Sequence, residues 1–193
     1  MISKFFHRDM IRLERMHRQT NIMTTDSNFL LHELSANAKV FEGLFEINET
    51  RQAHWKPSED KWCLLEIACH LVDEEIFDFR TRVKTALNPE KFDFVPIVPV
   101  GWVKSKNYLS QNYEQQTRTW LEERQQSIEW LQSLKSPNWE SCLVHPELGE
   151  MSAWQLLENW VAHDYIHLRQ IIRTKRAYLD HIAKKDISYA GNW

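Results

Sequence analysis

The 193-residue sequence is short of the residues that break helices, with only four glycines and six prolines. Few positions therefore favour turns. The sequence also lacks any run close to the roughly 20 apolar residues that span a bilayer, and its first ten residues carry too much charge for a secretory signal. We therefore expect a helical, cytoplasmic protein with no membrane partner.

Neither sign of charge is in large excess, since 24 basic and 27 acidic side chains leave a net charge of -3. No strongly basic face is evident in the main part of the chain, which argues against nucleic acid as a partner. The three cysteines, Cys63, Cys69 and Cys142, are odd in number and form no C-x-x-C pair. This pattern is typical of buried thiols in a reducing compartment rather than of a disulfide framework.

What the sequence has in plenty is apolar residues at helical spacing. No strand-like alternation of useful length is present. The pattern predicts an all-α four-helix bundle within a single domain, residues 23–193. Its long helices are expected over about residues 28–47, 62–86, 110–135 and 152–176.

Three segments between and before these helices lack the apolar period of the bundle helices or fall outside the bundle pattern. Residues 88–107 are rich in proline and large apolar groups, which predicts a long crossover loop between the second and third helices and a lid over a pocket. Residues 51–58 are expected to form a loop. Residues 1–22 form a basic amphipathic extension, which we expect either to dock on the bundle or on a partner subunit or to be poorly ordered; a membrane-surface helix or a targeting sequence is the alternative.

Two histidines four residues apart, His163 and His167, lie inside the last predicted helix. Residues at this spacing stand one above the other, so both rings can reach one metal ion. The start of the helix is indicated by the S-x-x-Q capping box of Ser152 and Gln155. His70, in the middle of the apolar stripe of the second helix, can supply a third ligand and leave a fourth position open, as in catalytic zinc sites. The alternative is that these are ordinary core histidines.

Three carboxylates accompany these histidines. Glu66 and Glu74 share a helical face with His70, and Asp164 adjoins His163. Metal-bound histidines nearly always donate their second ring N–H to such a group. We take Glu66 and Asp164 as the candidate catalytic residues, either as ring partners or as general bases; the alternative is a solvated or helix-pairing carboxylate.

The same residues resemble a known family. The stretch from Trp62 to Glu75, WCLLEIACHLVDEE, resembles the W-S-x-x-E-x-x-x-H-L-x-x-x-E helix of the DinB-like superfamily. The stretch from Leu148 to Ile171 is similar to the pattern G-x-M-S-x-x-x-L-L … H-D-x-x-H-x-x-Q-I of its last helix. The resemblance covers about residues 28–176, with specific motifs in these two helices.

One residue departs from the family pattern at the start of the second helix. Cys63 stands where the family usually has a serine or threonine cap. We therefore expect Ser58 or Asp60 to cap this helix instead, leaving Glu66 outside a capping box.

The resemblance implies a four-helix bundle in which His70, His163 and His167 bind a divalent metal ion, usually zinc or nickel. It also implies a small-molecule substrate, often a low-molecular-weight thiol such as bacillithiol, mycothiol or glutathione, activated for transfer; a hydrolase that activates water is the alternative. A bundle that binds metal or a small molecule without turnover, for example in a stress response, is a different class that stays open. Exposed apolar helix ends would allow a homodimer.

Overall fold

The computed structural model describes residues 27–91, 96 and 98–191. Helix dominates these residues, and the four long helices that the apolar periodicity predicted are all present, so the all-α four-helix bundle is confirmed. The helices are α1 (27–45), α2 (Thr50–His54), α3 (Leu64–Asp73), α4 (Arg80–Leu87), α5 (Pro99–Ser105), α6 (Tyr113–Ser133) and α7 (Ala153–Ile182). A six-residue π-helical segment, Glu74–Phe79, joins α3 to α4 as one continuous helix.

The four long helices share two apolar core clusters. In each cluster, α1, the α3–α4 helix, α6 and α7 all contribute side chains that are almost fully buried, as expected for apolar stripes that face one another. The first cluster includes Phe41, Leu65, Trp120 and Ile171. The second includes Leu34, Val83, Ile128 and Trp160.

A buried group of charges crosses the bundle between these clusters. Arg124 on α6 donates hydrogen bonds to both carboxylate oxygens of Glu75, at 3.0 and 2.9 Å, and to both of Asp164, at 2.6 and 2.8 Å. Asn37 on α1 also donates to Asp164, at 3.3 Å. Since Glu75 lies in the π-helical segment and Asp164 on α7, this network links all four long helices.

Two short helices lie where the sequence predicted loops. Helix α2 begins one residue before the predicted loop 51–58 and covers its first half. Helix α5 lies inside the crossover segment 88–107. Helices of five and seven residues are too short to show an apolar period, which explains both errors. Pro99 opens α5, where its missing N–H costs no helical hydrogen bond.

A β-hairpin was also missed. Strand β1 (Cys142–His145) pairs antiparallel with β2 (Gly149–Ser152), and Leu143 opposite Met151 is buried beneath it. Four-residue strands are too short for a readable alternation. Gly149 has a φ of 75°, a conformation that favours glycine. Because β2 leads directly into α7, the hairpin fixes where that helix begins.

The crossover segment packs on the second helix of the bundle. Lys106 forms an ion pair with Asp73 at 2.8 Å and lies over the ring of Phe77, 4.2 Å from its centroid. The ring of Trp102 is 5.9 Å from the same phenylalanine. Residues 92–95 and 97 of this segment lie outside the described residues.

The predicted N-terminal extension, residues 1–22, also lies outside the described residues, so the boundary at residue 23 stays a prediction. Of the helices in the described part of the chain, none is both long and apolar enough to cross a membrane.

Two of the three thiols are buried, as predicted. Cys63 and Cys69 lie in the core, while Cys142 is half-buried, and none forms a disulfide. Burial raises the pKa of Cys63 to about 11 and that of Cys69 to about 12. Both thiols therefore stay protonated at neutral pH.

Candidate metal centre

The start of α3 positions His70. The backbone N–H of Cys63 donates to Glu66 at 2.9 Å, and Lys56 holds both oxygens of the same carboxylate at 2.8 Å. The expectation that Ser58 or Asp60 caps this helix was therefore wrong. Those two side chains instead bond to each other at 2.5 Å, because the helix begins only at Leu64, beyond their reach.

Helix α7 begins at its predicted N-cap, Ser152. The Ser152 hydroxyl accepts a hydrogen bond from the backbone N–H of Gln155 at 3.1 Å, which satisfies one of the free donors of the first turn. His163 and His167 follow on the inward side of the same helix, one turn apart.

The structure brings the three predicted histidines together. One ring nitrogen from each of His70, His163 and His167 lies within 4.8 Å of the other two. The Nε2 atoms of His163 and His167 are 3.0 Å apart. His70 and His167 are buried, whereas His163 is half-buried. Within the described residues this group contains no fourth ligand.

Hydrogen bonding fixes which nitrogen of His167 faces its neighbours. Its Nδ1 lies 2.8 Å from the side-chain oxygen of Gln170, so Nδ1 carries the proton and Nε2 keeps a lone pair. That lone pair points at Nε2 of His163. A metal ion in this position would replace an N–H···N hydrogen bond between the two rings.

All three imidazoles are held in the neutral form that metals require. Burial, together with neighbouring ring charges, lowers the pKa of His70 to about 3 and that of His163 to about 2. Burial also lowers the pKa of His167, although its bond to Gln170 opposes the shift.

Glu74 is the carboxylate nearest to His70. Its Oε1 lies 3.8 Å from Nδ1 of that ring, and within the described chain both atoms are buried without a hydrogen-bond partner. Burial, followed by the charge of Asp78, raises the pKa of Glu74 to about 8. Such a group beside a ring nitrogen is the usual partner of a metal-bound histidine.

The residues present fit a metal ion. Nitrogen ligands about 2.0–2.1 Å from a tetrahedral zinc ion lie roughly 3.3 Å apart, which falls between the 3.0 Å contact of two of the rings and the 4.8 Å limit of the group. The Nδ1 atom of His70 is buried without a hydrogen-bond partner, so hydrogen bonds among the described residues do not by themselves satisfy the polar atoms of this cluster.

The two carboxylates selected from the sequence are held by other partners. Glu66 is bound by Lys56 and Cys63, and Asp164 by Arg124 and Asn37. Among the described residues, neither forms a hydrogen bond with a histidine ring. Whether either acts as a base stays a prediction.

Two aromatic rings enclose the histidines. Trp62 packs on His70 with centroids 4.9 Å apart, and Phe79 packs on His163 at 4.8 Å. Neither ring was predicted to lie at the site, although Trp62 belongs to the family motif. Gln170, whose spacing of three residues from His167 predicts a place at the rim of the pocket, also contacts the ring of His167, which was not predicted.

Two cavities flank this site. One, of about 270 Å³, is lined by His163 together with Phe79, Arg82 and Met151. The other, of about 500 Å³, is lined by Trp62 and Gln170, the residues that contact His70 and His167. No described residue of the crossover segment lines either cavity, so the part of that segment seen here is not a lid over them.

Comparisons with known proteins establish the fold and the family. Among solved structures, YfiT from Bacillus subtilis, described as a probable metal-dependent hydrolase with an unusual four-helix bundle topology, superposes with a TM-score of 0.68. The two chains are 16% identical over 78% of this chain and 86% of YfiT, a likeness that shows the fold. No curated protein matches the sequence significantly. The model of the DinB superfamily matches residues 33–171, most of the chain. The chain therefore belongs to the DinB superfamily.

Proposed function

We propose that this protein is a metal-dependent enzyme acting on a small molecule, with a divalent ion, zinc or nickel, held by His70, His163 and His167. The observation that carries the proposal is the convergence of three neutral imidazoles, one of which faces a cavity. A purely structural metal site would be closed by a fourth protein ligand. The absence of such a ligand among the described residues supports a catalytic site.

An ion bound by three neutral imidazoles keeps its positive charge, so it acts as a Lewis acid that makes a thiol or water nucleophilic at neutral pH. The protein supplies the setting for this chemistry. Gln170 fixes the tautomer of His167, Glu74 stands ready to accept the Nδ1–H of His70, and Phe79 shields one face of His163 from water.

The nucleophile is either a low-molecular-weight thiol or water. The resemblance to the motifs of the DinB-like superfamily implies thiol transfer, whereas the description of YfiT as a probable hydrolase favours water. We expect Glu74 to support the metal ligands, and we retain Glu66 and Asp164 as candidates for proton transfer.

Elemental analysis of the untagged full-length protein tests the metal site. We expect about one divalent metal ion per chain in the wild type and a near-complete loss in His167→Ala, because removing one of three ligands weakens binding severely. His32→Ala is the matched control, since His32 lies on α1 with its side chain 77% exposed. Equal metal content in wild type and His167→Ala would contradict the proposal.

The cobalt-substituted protein then separates the two nucleophiles. A change in the visible cobalt spectrum on adding glutathione or cysteine supports thiol transfer, because a thiolate that joins the ion alters its ligand field. An unchanged spectrum, together with cleavage of ester or amide substrates that is lost in His167→Ala, supports hydrolysis. Bound metal with neither response would favour a binding protein without turnover.

A further inference from the structure

The larger of the two cavities, about 500 Å³, has a wall of basic side chains. Lys61, Arg169 and Arg173 line it, and none of its lining residues within the described chain is acidic. Its volume is in the range of pockets that hold small ligands. The cavity therefore offers positive charge to whatever occupies it.

The two arginines are available to a ligand. Both are exposed on α7, and neither forms an ion pair with any acidic group that the structure describes. They are four residues apart, so they stand one above the other on the same helical face. Lys61 already pairs with Asp60 at 2.9 Å, so the arginines supply the uncompensated charge.

This basic cavity is next to the three histidines. Trp62 packs on His70 on one side and lines the cavity on the other, and Gln170 links the cavity in the same way to His167. Ile166 lines both this cavity and the smaller one that contains His163. The two cavities are thus neighbours along α7 and share one lining residue.

The position of Arg173 relative to the histidines sets the length of the ligand. Arg173 follows His167 by six positions, which is a rise of about 9 Å along the helix axis and a rotation of about 120° around it. A molecule with one end at the histidines and the other at Arg173 therefore has the length of a dipeptide or tripeptide. Guanidinium groups pair with carboxylates through two parallel hydrogen bonds.

We propose that the cavity lined by Arg169 and Arg173 is an anion subsite that binds the carboxylate of a substrate whose reactive end reaches the three-histidine centre. This proposal rests on the proposed function, because it names the substrate class of the three-histidine centre. That class is small molecules that carry a carboxylate, as opposed to neutral ones. The subsite itself consists of residues outside the metal ligands.

Calorimetric titration with S-methylglutathione tests the subsite. This probe carries two carboxylates and has no free thiol, but its amino-acid end can still chelate a metal ion, so binding to the metal-free protein is the measurement that reports on the cavity alone. The titration uses the full-length protein as purified and after treatment with a chelator. We expect saturable binding in both forms, weakened about tenfold or more in Arg169→Gln/Arg173→Gln, since charge-assisted hydrogen bonds are lost.

Two controls make the result specific. Arg118→Gln removes an exposed arginine from α6 that lines neither cavity, and it should bind the probe as the wild type does. The diethyl ester of the probe lacks both carboxylates and should bind about tenfold more weakly or not at all. Unchanged metal content and helical circular dichroism in the double variant will show that its fold and centre are intact.

The outcomes separate this inference from the proposed function. Absence of binding, equal binding by the double variant, or equal binding of the ester would overturn the subsite, even if the protein holds metal at the histidines. Binding that is weakened in the double variant would support the subsite even in a preparation without metal, where the proposed function would fail.

Discussion

At the scale of single residues, Arg124 is the side chain on which the interior depends most. It is 1% exposed and pairs with two carboxylates, Glu75 and Asp164, that are just as deeply buried. The guanidinium and its two partners are costly to move out of water, and that cost is offset by their mutual hydrogen bonds and by those that Asn37 and Trp160 donate to the carboxylates. Removing one member leaves the others uncompensated.

We predict that Arg124→Met destabilises the protein by about 3–5 kcal/mol, because two carboxylates then lack their partner inside the bundle. The free energy of unfolding in urea measures the effect. Replacing Glu75 and Asp164 by leucine in the same variant should restore much of the loss, since a buried ion group can often be exchanged for apolar side chains.

The control for this prediction is Arg51→Met. Arg51 pairs with Glu49 at 2.8 Å on the surface, where solvent screens the interaction, and no measurable change in stability is expected. A similar small effect of Arg124→Met would show that the buried network does not stabilise the fold.

The three histidines were predictable from the sequence because their signal is local: two share one helical face and the third lies in an apolar stripe. The ion network was not. Arg124 lies 49 residues from Glu75 and 40 from Asp164, and no spacing rule relates residues on different helices. The contact between Trp62 and the ring of His70 was not predicted either, because it depends on the direction in which the chain enters α3.

At the scale of elements, the long helices could be predicted and the short ones could not. Helix α7 has 30 residues, enough for its apolar period to repeat many times. Helix α2 and the two strands have five or four residues each and provide a single repeat at most. The crossover segment is intermediate: its composition predicted a long connection, but not α5 or the contacts of Trp102 and Lys106 with Phe77.

We predict that Ser152→Ala destabilises the protein by about 1 kcal/mol, because the N–H of Gln155 loses its acceptor at the start of α7. Urea unfolding measures the change. Ser133→Ala is the control, since that hydroxyl bonds to the Trp130 carbonyl near the end of α6, and its effect should stay within about 0.5 kcal/mol. Equal effects of the two variants would argue against the cap.

At the scale of the whole molecule, the proposed metal ion should add to the stability of the bundle. The histidines come from α3 and α7, so an ion that bonds to both helices binds the folded chain and not the unfolded one. At a free metal concentration of 100 times the dissociation constant, such binding contributes about 2.7 kcal/mol.

We therefore predict that removing the metal with a chelator lowers the melting temperature by roughly 5–10 °C, a shift expected for a domain of this size. Differential scanning calorimetry of the metal-loaded and chelated protein measures it. His163→Ala should melt at the same temperature with and without the chelator. If the chelator shifts that variant by the same amount, the effect does not come from this centre.

The π-helical segment changes the spacing of residues along the second helix. A π turn holds one residue more than an α turn, so the two halves of this helix are offset by about 100° of rotation. Without the extra residue of the π turn, His70 and Phe79 could not both face α7 while Val83 stays in the core. A relative with a regular helix here would therefore align only with a one-residue gap, and the length of this turn decides whether Phe79 can pack on the ring of His163.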